Sequence, residues 1–177
     1  GISHRGFFAA ITDLQSFYDA NLSLIDLKTA TSLFDNENWP IYTRTNDSCP
    51  TQYFETADVK NSVVSNGCLI EGSIEHSVIG RGCVIKKGAV VRNSIVLPGT
   101  YISEDTTVDC QVVDKNVRII HAKEIISDSQ KPGYIRREEL YKSNKLSGNS
   151  ILFPDSFYYP RYPVKNGNLR SFLPFSH

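Results

Sequence analysis

The sequence contains no methionine, a single tryptophan and no net charge, its 19 basic residues being matched by 19 acidic ones over 177 positions. Neutrality argues against the nucleic-acid binders and polybasic membrane binders, which need a strong positive excess. No apolar run approaches the roughly 18 residues of a membrane span, and nothing at the start resembles a signal peptide. The four cysteines, Cys49, Cys68, Cys83 and Cys110, form no C-x-x-C pair and have no histidine at ligand spacing, so no metal site is expected. Without a secretory signal, reduced thiols and a cytoplasmic location are the expectation. A chain opening Gly1-Ile2-Ser3 is expected to be a processed product or a piece of something longer. Its length suits one domain, or one domain with an appendage, large enough to bury a core without covalent staples.

What is present begins with a helix. Thr12-Asp13-Leu14-Gln15 reads as a capping box, and Leu14, Phe17, Tyr18, Asn21 and Ile25 follow at helical spacing. The apolar stretch Gly6 to Ile11 reads as a short strand or buried approach segment. Residues 27–60 read as a linker, with Trp39-Pro40-Ile41-Tyr42-Thr43 as one extended piece and Cys49-Pro50 as a break.

From Asn61 the chain repeats. The words starting at Asn61, His76, Asn93 and Cys110 align, with offsets of 15, 17 and 17 residues. In each, two apolar residues precede a Gly or Asn by three positions, and an Ile closes the unit. A period this short excludes helical-hairpin repeats, which need about 33 residues or more. It suits a solenoid coil of three short strands, with Gly and Asn supplying φ > 0 at the corners. A six-residue beat within each coil, as in Ile79 to Val84 and Ile85 to Val90, completes the pattern of a left-handed parallel β-helix over residues 61–120. Cys68 and Cys83 share a column with Thr100 and Val117, which points to packing rather than chemistry. His76 shares a column with Asn61, Asn93 and Cys110 and reads as a polar corner residue. Arg81, Lys86, Lys87 and Arg92 read as solubilising charges on the coil exterior.

After Ile119 the repeat is lost. Residues 121–177 are rich in proline and aromatics, and an extended arm that caps the open end of the solenoid is expected there. Glu138, Glu139 and Leu140 suit a short helix.

Several of these words carry a resemblance. Gly6-Phe7-Phe8 leading into Leu14 to Leu24, Asn38-Trp39-Pro40-Ile41-Tyr42-Thr43, Asn61 to Cys68 and Val113 to Ile119, taken in that order, resemble the C-terminal half of bacterial ADP-glucose pyrophosphorylase, glucose-1-phosphate adenylyltransferase. The resemblance implies that residues 1–26 are the last strand and helix of a nucleotidyltransferase domain, which in the family precedes the solenoid and binds ATP and glucose 1-phosphate. It also implies a place in glycogen biosynthesis. Catalytic members have a metal-binding Asp at the position that Ala10 occupies here, and an alanine cannot hold a cation. The family's Pro-Pro-x-Lys reads Cys49-Pro50-Thr51-Gln52, without the lysine. Both departures resemble the non-catalytic, regulatory (GlgD-type) subunit, which assembles with active subunits. Catalytic residues are therefore expected to be absent, and magnesium is expected only in a catalytic partner subunit. By the same resemblance Lys115 occupies the place of an effector-binding lysine, with Arg118 beside it, and the pair suits a sugar phosphate. The expected partners are a catalytic pyrophosphorylase subunit, further copies of the chain, or both. The alternative is a hexapeptide-repeat acyltransferase using acyl-CoA. That class needs a protruding histidine, for which only His76 and His121 lie near the coils, and a looped-out coil, of which the repeat shows no sign.

Overall fold

The computed structural model describes residues 1, 6–35, 41–42, 47–120 and 122–137. Two short helices precede a left-handed parallel β-helix built from three five-stranded sheets. The first sheet holds Gln52–Tyr53, Leu69–Ile70, Val84–Ile85, Tyr101–Ile102 and Arg118–Ile119. The second holds Asp58–Lys60, Ser73–Glu75, Val90–Arg92, Thr107–Asp109 and Glu124–Ile126. The third holds Val63–Val64, Val78–Ile79, Ile95–Val96, Gln111–Val113 and Gly133–Ile135.

The register is the one that the repeat dictates. Val63 pairs with Val78, Val78 with Ile95, and Ile95 with Val112, which reproduces the steps of 15, 17 and 17 residues. Alternation along each strand sends one residue inward, so like stacks on like in three columns. Ile70, Ile85, Ile102 and Ile119 form the first, and Ile74, Val91 and Val108 the second. Ile79, Val96 and Val113 complete the prism. All are essentially inaccessible to solvent, and each buried side chain of this size contributes about 1.5–3 kcal/mol.

The corners explain the rest of the repeat. Asn61, His76, Asn93 and Cys110 all sit at positive φ, between 41° and 53°. Gly67, Gly82, Gly99 and Asn116 form a second left-handed column, at 56° to 79°. The 15-residue step arises where the second coil turns from the first sheet to the second. Only Glu71 and Gly72 bridge Ile70 to Ser73, where four residues bridge the equivalent corner from Ile85 to Val90. A Cβ on Gly72 would run into the carbonyl oxygens of Lys86 and Ala89, so the short corner needs glycine for close approach.

Side chains close the remaining backbone groups in two ladders. Thr51 Oγ1 donates to the Ser65 carbonyl, Cys68 Sγ to that of Gly80, Cys83 Sγ to that of Leu97, and Thr100 Oγ1 to that of Asp114. The column reads as packing in the sequence, and the structure adds a shared hydrogen bond to the next coil. The Ser77 hydroxyl donates to the Glu75 carbonyl and accepts from the Ser94 N–H; Ser94 repeats this with Arg92 and the N–H of Gln111.

Four expectations are corrected. Gly6 to Ile11 form no strand: Phe8 is 79% exposed, and the segment joins none of the three sheets among the described residues. The helix is capped by Asp13, not Thr12. Asp13 accepts from the Ser16 N–H while the Ser16 hydroxyl takes the Asp13 N–H, so the box falls one residue later. The stretch taken as linker contains a second helix and a whole coil, Gln52–Tyr53 to Val63–Val64, and the sheets continue past residue 120 to Ile135. Finally, the solenoid does carry an insertion. Gln111 pairs with Gly133, a step of 22 residues, and the surplus forms a tight turn closed by the bridge between Asp128 and Lys131. Trp39, His121 and the tail from residue 138 lie outside the described residues.

Candidate functional site

The three outward faces differ in chemistry. The second sheet is charged, with Lys60 on Asp58 at 2.7 Å and Arg92 opposite Glu75 at 3.8 Å. The third presents Ile95 and Val112 outward, yet both are buried, because α1 (Leu14–Ser23) lies across them. Tyr18, with Leu14, Phe17 and Leu22, forms this contact, and its hydroxyl donates to the Asn93 carbonyl at 2.5 Å. Burial pushes the Tyr18 phenol well above its ordinary range, with help from the neighbouring Cys110. The helical spacing of Leu14, Phe17 and Tyr18 anticipates this face. The second helix, α2 (Leu27–Phe34), buries no residue.

The first sheet's outward column runs Gln52, Leu69, Val84, Tyr101 and Arg118, apolar over its three middle members. The Arg118 guanidinium lies over the Tyr101 ring, 5.1 Å from its centre. Lys115 is exposed at the corner just before this strand, where its N–H bonds the Asp114 carboxylate at 2.7 Å. The two residues anticipated as an effector pair thus occupy one corner and the strand leaving it. Ala10 is exposed in irregular chain before α1. Among the described residues no group of three or more His, Cys, Asp or Glu side chains is disposed to hold a metal ion. Lys86, read as a solubilising charge, is half-buried against Glu71 at 2.5 Å, and that carboxylate holds its ammonium above the usual range.

A groove of about 370 Å³ opens between α1, the His76–Asn93 corner column and the 127–132 turn. Gln15 of α1 reaches across one end, donating to Asp19 and to the Ser129 carbonyl, both at 3.0 Å. His76 is held in a relay: its Nδ1 lies 3.0 Å from Asn93 Oδ1, and Asn93 Nδ2 donates to Asp109 at 3.1 Å. His76 is thus the corner residue that its column implies. The sequence does not signal the groove, because α1 and the 127–132 turn that form its walls lie more than a hundred positions apart.

Comparison with known proteins follows the same outline. Residues 50–135, the coils as the structure draws them, match the family model described as GlmU-like, C-terminal hexapeptide. A glucose-1-phosphate adenylyltransferase of Bacillus mycoides (strain KBAB4) is 33% identical over 116 residues, which are 65% of this chain and 30% of that protein. One of Bacillus cytotoxicus is 30% identical over 122 residues, 69% of this chain and 32% of that protein. The chain thus spans about a third of the length of the curated relatives it matches. The resemblance read from the sequence holds over this part. No helix among the described residues is long and apolar enough to cross a membrane.

Proposed function

We propose that this stretch of chain is the regulatory and oligomerisation part of a glucose-1-phosphate adenylyltransferase acting in glycogen biosynthesis in the cytoplasm, without catalytic activity of its own. The observation that carries the proposal is the similarity to such enzymes over 65% of this chain. Exposed Ala10 at the place where the resemblance calls for an Asp supports a non-catalytic role. In this reading magnesium belongs to a catalytic partner subunit. Lys115 and Arg118 bind the phosphate of a sugar-phosphate effector, a flexible ammonium beside a planar guanidinium. The apolar column Leu69, Val84 and Tyr101 supports assembly, with a catalytic subunit or with further copies of this chain, because parallel sheets are ordinarily covered on both faces.

The test is ADP-glucose synthesis by the full native protein, alone and mixed with a catalytic subunit. No turnover alone is expected, together with a sugar-phosphate response in the mixture that Lys115→Ala removes. Leu69→Lys is expected to weaken assembly in sedimentation. Synthesis by the protein alone would overturn the proposal.

A further inference from the structure

The groove under α1 has a wall that differs in kind from the Lys115 corner. Among the described residues no lysine or arginine lines it, and the one carboxylate on its wall is that of Asp19. A phosphate therefore finds repulsion there rather than a counter-ion. Its other groups are those that meet hydroxyls. Asp109 accepts from Asn93 Nδ2, which turns Asn93 Oδ1 toward His76; Nδ1 of His76 must then carry the proton. That assignment leaves Nε2 as an acceptor, and no partner for it exists among the described residues. The Gln130 side chain, which the 127–132 turn places on the opposite wall, supplies an amide that both donates and accepts. Leu22 and the ring of Tyr18 provide an apolar surface between these groups.

The corner column shows what the histidine adds. Asn61 and Asn93 hold equivalent positions at φ 43° and 41°, against 46° for His76, so the backbone does not require a histidine. Its distinguishing feature is a second ring nitrogen, set at the groove. The cavity also lies within the size range of small-molecule sites, about 300–1,000 Å³.

We infer that the groove between α1, His76 and the 127–132 turn binds a small, uncharged, hydroxyl-rich molecule of the simple-sugar class. Vicinal hydroxyls donate to Asp19 and to His76 Nε2, Gln130 pairs with a third, and the C–H face of the ring lies against Leu22 and Tyr18. This site is independent of the effector corner and of the assembly face.

Calorimetric titration of the full chain with glucose, and separately with glucose 1-phosphate, tests it. Saturable glucose binding with a dissociation constant on the order of 1 mM is expected. His76→Asn, which keeps the corner conformation, should weaken it about tenfold or more, and Gln130→Ala should weaken it too. Lys115→Ala should leave it unchanged while weakening glucose 1-phosphate. Absence of saturable glucose binding would overturn the inference, as would glucose binding that His76→Asn leaves intact. So would glucose 1-phosphate binding that His76→Asn abolishes and Lys115→Ala does not. None of these results bears on whether the chain regulates a catalytic subunit.

Discussion

The Tyr18 hydroxyl, on the helix, donates to the carbonyl of Asn93, a left-handed corner residue 75 positions later. This bond fixes the height of α1 over the third sheet, while Ile95 and Val112 supply the apolar contact beneath it. Tyr18→Phe retains the packing and loses the bond, at an expected cost of about 1 kcal/mol in denaturant unfolding. The same substitution should change the alkaline limb. Burial raises the Tyr18 pKa in the folded state above the unfolded value near 10. Its contribution is therefore complete below about pH 10 and is lost as the pH rises beyond it. Stability measured from pH 9 upward should fall less steeply in Tyr18→Phe than in the parent.

Ser94 is buried and serves two coils, donating to the Arg92 carbonyl and accepting the Gln111 N–H at 3.1 Å. Ser94→Ala strands that N–H away from water, and a loss of about 1–3 kcal/mol is expected. Ser62, whose hydroxyl donates to the Lys60 carbonyl and accepts the Ser77 N–H, is the more exposed end of the same ladder, and Ser62→Ala should cost less. Equal losses in chemical denaturation would mean that the ladder adds nothing beyond its termini.

At Gly72, alanine would meet two backbone carbonyls that cannot move independently of the coil below. Gly72→Ala is expected to destabilise by about 1–3 kcal/mol. Inserting two residues after Glu71, which restores the corner length found in the third coil, should make an alanine at the glycine position tolerable. Thermal melts of the single and combined variants decide this.

Thiol labelling should separate the cysteines. Cys49 is exposed, whereas Cys68, Cys83 and Cys110 are buried. The hydrogen bond with Cys68, and then burial, raise the Cys83 pKa, so its thiolate is scarce in the native state. One fast-reacting thiol is expected in native protein and four in denaturant. Rapid native labelling at Cys83 would show that the central coils open.

The coils were legible in the sequence wherever one word stacked on another like it. Asn61, His76, Asn93 and Cys110 are of three different residue types, yet their alignment fixes the register, because the neighbouring Ser, Val and Ile positions repeat. The first coil escapes the repeat because Pro50 and Thr56 stand where the later coils turn on Gly67 and Gly88. The last escaped because five extra residues displace Gly133 from its expected place. The cap moved from Thr12 to Asp13 because Ser16 closes the box as well as a glutamine does. Lys115 and Arg118 come from the resemblance alone; the structure places Lys115 exposed at a corner and Arg118 on the strand that follows, and their effector role stays a proposal. The His76 groove could not be read in the sequence, because a helix, a corner and an insertion meet there only in three dimensions.

The steps of 15 to 17 residues have a consequence for how the molecule comes apart. Each coil touches only the one before and the one after, so stability is passed along the prism as along a zipper. Opening starts at the ends, where Tyr53 is 55% exposed on the first coil. The amides beside Ile85 and Ile102 therefore open last. Seated on the third and fourth coils through Ile95 and Val112, α1 acts as a clasp across that zipper. Whatever shifts the helix also alters how readily the coils beneath it separate.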